Sequence, residues 1–216
     1  MKLLVLSLGT VLAAMPLAAS PQDMKMAAAP AATAAAAPAK VSALKKALEG
    51  LWVGHIGAVR KVDVAVIGGH TAAANAAQSE VVANAHAIAS AVAGFYGKPA
   101  GDKLFTLLAG HWGAIKGYLD ATVAKNTAGQ SAATSQLTSN ADEIATFLSG
   151  ANPYLPKTTL SEMLLTHGSQ HISQIQQLAA HDTAGEAKTA AAMRAHIIAL
   201  ADALADAIAK QFPTKV

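Results

Sequence analysis

The chain has 216 residues, of which 53% are hydrophobic and only 13% charged, and its formal net charge is +3. Its lysines and arginines are scattered rather than grouped in a stripe with aromatic residues, so nucleic acid is not an expected partner. The complete lack of cysteine excludes disulfides, thiolate metal sites, iron–sulfur clusters and attached c-type haem. Much of the apolar content is alanine, which favours closely packed helices.

Residues 1–20 predict a secretory signal peptide. Lys2 supplies a short positive region, residues 3–17 are mostly apolar, and Ala18, Ala19 and Ser20 are small residues suited to a cleavage site. A retained anchor is the alternative, although the apolar run is rather short for a membrane span. We therefore expect a periplasmic or secreted protein without stable membrane insertion.

Residues 21–40 are rich in alanine and proline and carry no periodic apolar face. Pro30 and Pro38 interrupt any helix here, so the segment is typical of a linker. It precedes a predicted helical domain at 41–216.

From Val41 onward, apolar residues recur at intervals of three and four, as in amphipathic helices, and strand-like alternation is absent. Glycine- and proline-containing breaks divide this region. The predicted helices cover 41–67, 72–95, 101–125, 130–150, 158–180 and 185–211. The sequence therefore predicts an all-α fold of six helices.

The chain matches itself twice when it is shifted by 56 residues. Among the aligned apolar positions, His55, His111 and His167 coincide, and so do Asn84, Asn140 and His196. A helical hairpin that cannot bury its own apolar face is the usual unit of such repeats. We predict three tandem hairpin repeats forming a compact six-helix bundle, with a short open solenoid as the alternative.

The three aligned histidines lie on the apolar stripes of the first, third and fifth helices, at steps of three, four and seven from leucines. Residues equidistant from a hairpin turn lie level across it. The histidine of each hairpin should therefore face a polar residue of the partner helix, and the expected pairs are His55 with Asn84, His111 with Asn140, and His167 with His196.

Two metal sites are compatible with this pattern. If the hairpins close around a three-fold axis, His55, His111 and His167 meet at one height, and His171 could be a fourth ligand. Asn84, Asn140 and His196 would then stand behind the rings and orient them. Otherwise His167, His171 and His196 form a local cluster, with His196 as a ligand. Imidazoles suit zinc and copper, so we predict binding of one of these metals without catalysis.

Two other functions remain open. In the first, a structural or partner-binding module, the histidines and asparagines only satisfy one another in the core. A three-histidine metal with an open position would instead suit an enzyme, although E-x-x-H, H-E-x-x-H, G-x-S-x-G and phosphate-loop motifs are absent. His70 and His181 are expected in solvated turns, and Arg60 is expected to pair with Asp63 on the surface.

Several short motifs resemble a family of small bacterial helical proteins to which no activity is attached. They are L-W-V-G-H at 51–55, F-Y-G at 95–97, N-A-D-E-I-A-T-F-L at 140–148, M-L-L-T-H at 163–167 and Q-F-P at 211–213. The resemblance implies a helical bundle with repeated histidines. His171 does not match the family pattern, so any role of His171 would be particular to this protein.

Overall fold

The computed structural model describes residues 38–216, and the predicted signal peptide and most of the predicted linker lie outside this range. The described part is all-α and has six helices, which confirms the predicted fold class. The helices are α1 (Pro38–Ile67), α2 (Thr71–Tyr96), α3 (Lys98–Val123), α4 (Thr127–Ala151), α5 (Lys157–Ala179) and α6 (Thr183–Gln211). Helix α1 begins earlier than expected, since proline is tolerated in a first helical turn.

The three turns that join α1 to α2, α3 to α4 and α5 to α6 have the same backbone geometry at intervals of 56 residues. Gly69, Lys125 and His181 adopt left-handed conformations with φ of 72°, 55° and 58°. In each turn the next residue donates its N–H to a carbonyl five residues earlier, at 2.8–2.9 Å. Such bonds satisfy carbonyls that the helix end leaves free. His70 and His181 are exposed in these turns, as expected.

The six helices close into a bundle, because α6 packs against α1 as well as against α5. Helices α1, α3 and α5 also contact one another, so they form the inside of the bundle. This closure distinguishes the fold from an open solenoid. In the described part of the chain, no helix is both long and apolar enough to span a membrane.

The apolar core has two parts. The upper core includes Leu48, Trp52, Ile88, Leu104, Leu108, Ile144, Leu160, Leu164 and Leu200. The lower core includes Val59, Val62, Val81, Ile115, Leu119, Leu137 and Ile175. On the three inner helices, the upper core ends before the aligned histidines and the lower core begins after them. The histidines therefore form a polar layer between two apolar regions.

Candidate metal centre

Four histidines from three different helices meet in this polar layer. His55 lies on α1, His111 on α3, and His167 and His171 on α5. Each histidine occupies a position in the buried apolar stripe of its helix, so the packing that buries the leucines also buries the rings. Their exposed fractions are 4%, 3%, 2% and 0%, respectively.

The rings of these residues, here called the four-histidine cluster, all lie close to one another. The ring centroid of His55 is 6.2 Å from that of His111, 5.8 Å from that of His167 and 5.9 Å from that of His171. The His111 centroid lies 5.7 Å from that of His167 and 6.3 Å from that of His171. The closest pair is His167 with His171, at 4.5 Å.

One ring nitrogen from each histidine can be chosen so that all four lie within 4.8 Å of one another. Four nitrogens at about 2.0–2.1 Å from a tetrahedral ion would be roughly 3.3 Å apart, with ring centroids roughly 5.2 Å apart. Five of the six centroid distances are thus slightly longer than in a loaded site, and the His167–His171 distance is shorter. Binding of an ion would require the ligand nitrogens, which lie within 4.8 Å of one another, to move closer together.

Most ring nitrogens of the cluster lack a hydrogen-bond partner among the described residues. The Nε2 atoms of His167 and His171 share one bond at 3.1 Å. Both nitrogens of His55, both of His111 and the Nδ1 atoms of His167 and His171 have none. A buried polar group left unpaired costs about 1–3 kcal/mol. Packing alone therefore gives no reason to place these four rings together, whereas a shared ion would use one nitrogen of each.

Burial keeps the rings neutral. Loss of hydration lowers the pKa of His55 to about 3, assisted by the nearby His111. Loss of hydration also lowers the pKa of His111 to about 4, and the neighbouring Asn140 amide partly offsets this effect. The pKa values of His167 and His171 are well below the ordinary value, chiefly because of burial and then because of the other rings. Neutral imidazoles are the form that binds metals.

The predicted orienting residues make different contacts from those expected. Asn84 Nδ2 donates to the Leu51 carbonyl at 2.9 Å, and Asn140 Nδ2 donates to the Leu107 carbonyl at 2.9 Å. No nitrogen of His55 or His111 accepts or donates a hydrogen bond within the described residues. Each amide thus uses its Nδ2 donor on the backbone of the partner helix, one turn before the histidine, and the Asn140 side chain still acts on the His111 ring by raising its pKa.

His196 makes the equivalent contact in the third hairpin. Its Nε2 atom donates to the Met163 carbonyl at 2.8 Å, and the ring is only half-buried. The structure therefore does not bring His196 into the four-histidine cluster, and the local cluster of His167, His171 and His196 does not form. All three bonds connect residues 33 positions apart, and they hold each hairpin in register.

Glycines make room for two of these bonds. A Cβ atom at Gly54 would lie 3.2 Å from Asn84 Nδ2, and one at Gly110 would lie 3.1 Å from Asn140 Nδ2. Both distances are shorter than ordinary van der Waals contact. The residue before each of these two histidines thus lets the partner helix approach closely.

The predicted surface pair of Arg60 with Asp63 is wrong, because Asp63 is a buried ionisable group. It is 0% exposed, and neither carboxyl oxygen has a hydrogen-bond partner among the described residues. Arg60 pairs instead with Glu186 of α6, through bonds of 2.6 and 3.0 Å. Burial raises the pKa of Asp63 to about 8, against the lowering effect of Arg60, and Glu186 raises it further.

A signal for this burial existed in the sequence. A shift of 56 residues aligns Asp63 with Leu119 and Ile175, which are both fully buried. The same shift aligns His171 with Val59 and Ile115, which lie in the lower core. Each of the two polar residues therefore occupies a position that is aliphatic in the other hairpins.

No protein-family model matches the chain, and neither the curated proteins nor the solved structures contain a significant match. What the protein does must therefore be argued from the geometry of the four-histidine cluster itself.

Proposed function

We propose that this protein binds one transition-metal ion, zinc or copper, in the four-histidine cluster, and that it binds the ion without catalysing a reaction. The observation that carries the proposal is the convergence of four fully buried imidazoles from three helices, with candidate ligand nitrogens within 4.8 Å of one another. Six of their ring nitrogens have no partner among the described residues, and the core surrounding them is apolar.

The composition of the site limits the choice of metal. Four nitrogen ligands without thiolate or carboxylate suit tetrahedral zinc, and imidazole also binds copper well. Neutral rings leave the full charge of the ion in the core, and burying a charge is costly. Cu(I) would leave one positive charge in the core and Zn(II) two, so the cost of burying charge favours Cu(I).

Asp63 could balance part of this charge. It lies eight residues after His55 on α1, about 12 Å along the helix axis at 1.5 Å per residue. It is buried, so its interaction with an ion in the core would be screened less than that of a surface group. Binding of a divalent ion would favour the ionised form of this carboxyl.

The wider setting of the proposal rests on the sequence. We infer an exported protein, periplasmic or secreted, from the predicted signal peptide at 1–20, and three tandem repeats from the 56-residue self-match. The matching turns and the three bonds across 33 residues support the repeat. Membership in the family suggested by the short motifs remains a prediction.

Direct metal titration tests the proposed function. Metal-free protein is titrated with Zn²⁺, and separately with Cu⁺ under reducing conditions, by competition with a chromophoric chelator. We expect one ion per chain. The His111→Gln variant should lose this site, whereas His70→Gln, a change in an exposed turn, should keep it. If the wild-type protein binds neither ion stoichiometrically, the proposal is wrong.

The alternative is a structural module in which these polar residues only fix helix register. The bonds from Asn84, Asn140 and His196 to backbone carbonyls favour it. The two functions differ in their response to metal. An ion that binds only the folded state raises the free energy of unfolding by about 2.7 kcal/mol when the ion concentration is 100 times the dissociation constant. A register-only module would show no rise in unfolding temperature on addition of zinc or copper.

A further inference from the structure

An internal cavity lies in the upper core, directly beside the four-histidine cluster. His111 and His167 form part of its wall, and Tyr96 and Ala151 line its far end, at the carboxyl ends of α2 and α4. The wall between these ends is built from aliphatic and aromatic side chains of the inner and outer helices. The cavity thus extends from the histidine rings toward one end of the bundle.

The lining decides what kind of molecule the cavity can hold. It is almost wholly apolar, with little contribution from polar atoms. A buried water needs two to four polar partners, and apolar cavities lined by leucine, isoleucine and phenylalanine remain dry. Water is therefore a poor occupant, and an uncharged apolar molecule is a good one.

The size of the cavity narrows the choice further. The cavity has a volume of about 40 Å³. One water requires roughly 10–15 Å³, whereas a cavity that binds benzene is about 150 Å³. The space suits a molecule of one or two heavy atoms and excludes an aromatic ring.

A chain of hydrogen bonds, here called the cap, crosses the far end of the cavity. Asn152 Nδ2 donates to the Tyr96 hydroxyl at 2.8 Å, and this hydroxyl donates to Gln211 Oε1 at 2.8 Å. Gln211 Nε2 in turn donates to the Ala151 carbonyl at 3.0 Å. The cap connects the ends of α2, α4 and α6, so it would separate a molecule in the cavity from solvent.

We propose that this cavity is a binding site for one small apolar gas molecule, of the size of dioxygen or nitric oxide, held beside the histidine cluster. Occupancy of the cavity does not depend on metal. The contact between a bound gas and the metal centre does rest on the proposed function, because the two imidazoles that line the cavity would also be ligands of the ion. A bound gas would therefore contact the metal centre through His111 and His167.

Xenon is a suitable probe, because it is apolar and monatomic. The metal-free protein is placed under increasing xenon pressure, and the methyl groups are followed by NMR. We expect saturable shifts for Ile88, Leu108 and Ile144, which line the cavity, and none for Leu119 and Ile175 of the lower core. Equal, non-saturable shifts in both parts of the core would overturn the proposal.

Variants test whether the cavity itself holds the xenon. Val92→Phe adds a ring to the cavity wall, and filling the space should weaken xenon binding by about tenfold or more. Val82→Phe is the matched control, because Val82 is 41% exposed, and it should bind xenon as the wild type does. Unchanged xenon binding in Val92→Phe would contradict the assignment.

An enlarging variant keeps the test decisive if Val92→Phe does not fold. Leu108→Ala should open the cavity toward the size that admits benzene, so benzene should bind to this variant and not to the wild type. Failure of Leu108→Ala to bind either benzene or xenon would overturn the proposal. Saturable xenon binding in a protein that binds no metal would keep the cavity site and reject the proposed function instead.

Discussion

His167 and His171, one turn apart on α5, bring their Nε2 atoms to 3.1 Å. Two nitrogen ligands of a tetrahedral zinc ion are roughly 3.3 Å apart, so this pair already has the separation of two ligands. Spacing of four residues on one helix fixes it. His55 and His111 complete the cluster from α1 and α3, and their positions depend on how the bundle closes.

A substitution tests the role of His171 as the fourth ligand, because the equivalent residue in each of the other two hairpins is aliphatic. His171→Ile restores the aliphatic pattern of Val59 and Ile115 and removes a buried ring whose Nδ1 atom has no partner among the described residues. We expect the metal-free variant to be at least as stable as the wild type. Loss of a ligand should weaken metal binding by about 100-fold or more, since even outer-shell changes cost 10–100-fold.

Chemical denaturation of the metal-free variant and metal competition measure the two effects separately. An affinity for zinc and copper equal to that of the wild type would show that His171 is a packed core residue and that three histidines suffice.

The metal-free protein should lose stability in mild acid. Burial lowers the pKa of all four cluster histidines in the folded state, so below the ordinary value near 6.5 the unfolded chain binds more protons than the folded one. The contribution of neutral histidines is complete above pH 6.5 and is lost as the pH falls. Below pH 6.5, each histidine lowers the free energy of unfolding by up to about 1.4 kcal/mol per pH unit.

Urea unfolding between pH 7.5 and 4.5 checks this expectation. The His171→Ile variant, with one buried ring fewer, should show a shallower pH dependence. A free energy of unfolding that stays constant between pH 7 and 5 would contradict the burial of neutral rings.

Asp63→Leu should stabilise the metal-free protein at neutral pH. Burial raises the pKa of Asp63 from 3.8 to about 8 in the folded state, with Arg60 and Glu186 as the charged groups facing it. Its stabilising contribution is present below pH 3.8 and is lost as the pH rises through about 8. Neutral pH lies about three units above the ordinary pKa of 3.8. At 1.36 kcal/mol per unit, the buried carboxyl therefore lowers the free energy of unfolding at pH 7 by roughly 4 kcal/mol.

We therefore expect a gain of roughly 2–4 kcal/mol at pH 7, which decreases as the pH is lowered toward 4. Asp102→Leu, at an exposed position paired with Lys98, is the control and should change stability little. A destabilising effect of Asp63→Leu at pH 7 would mean that the carboxyl is ionised and well paired in the folded protein.

Asn140→Leu separates a role in hairpin register from a role in ring orientation. It removes the bond to the Leu107 carbonyl, and the net value of such a bond is about 0.5–1.5 kcal/mol. We expect a loss of about 1 kcal/mol in the free energy of unfolding. Metal affinity should change by no more than about twofold, because the Nδ2 donor of Asn140 bonds to the backbone and not to the His111 ring.

The affinity measurement is the informative one here. A fall of tenfold or more in Asn140→Leu, without a larger loss of stability, would restore the original interpretation of this amide as an orienting group.

Local pattern was enough to predict the helices and the burial of three histidines. Periodicity identifies the face of each helix, and glycine and proline mark where helices end, so the predicted and observed helices nearly coincide. Distance from the turn also predicts the height of Asn84, Asn140 and His196 to within one helical turn. Each contacts the partner helix one turn before the aligned histidine.

Contacts between distant elements were harder to predict. Convergence of His55 with His167 requires α6 to pack against α1, and helical periodicity gives the direction of a face but not the curvature of the assembly. Equidistance likewise gives the height of Asn140 but not which polar group at that height it reaches. The charge of Asp63 predicts an exposed position, because a charged residue normally prefers water, whereas its alignment with Leu119 indicates burial.

X-ray absorption spectroscopy of the zinc-loaded or copper-loaded protein tests the central proposal most directly, because it reports the number and type of ligands at the ion. For zinc, the account predicts a shell of four nitrogens at about 2.0–2.1 Å, with scattering from four imidazole rings that decreases to three in His171→Ile. Fewer than four imidazoles in the wild-type spectrum, or a shell made mainly of oxygen ligands, would contradict a four-histidine metal centre.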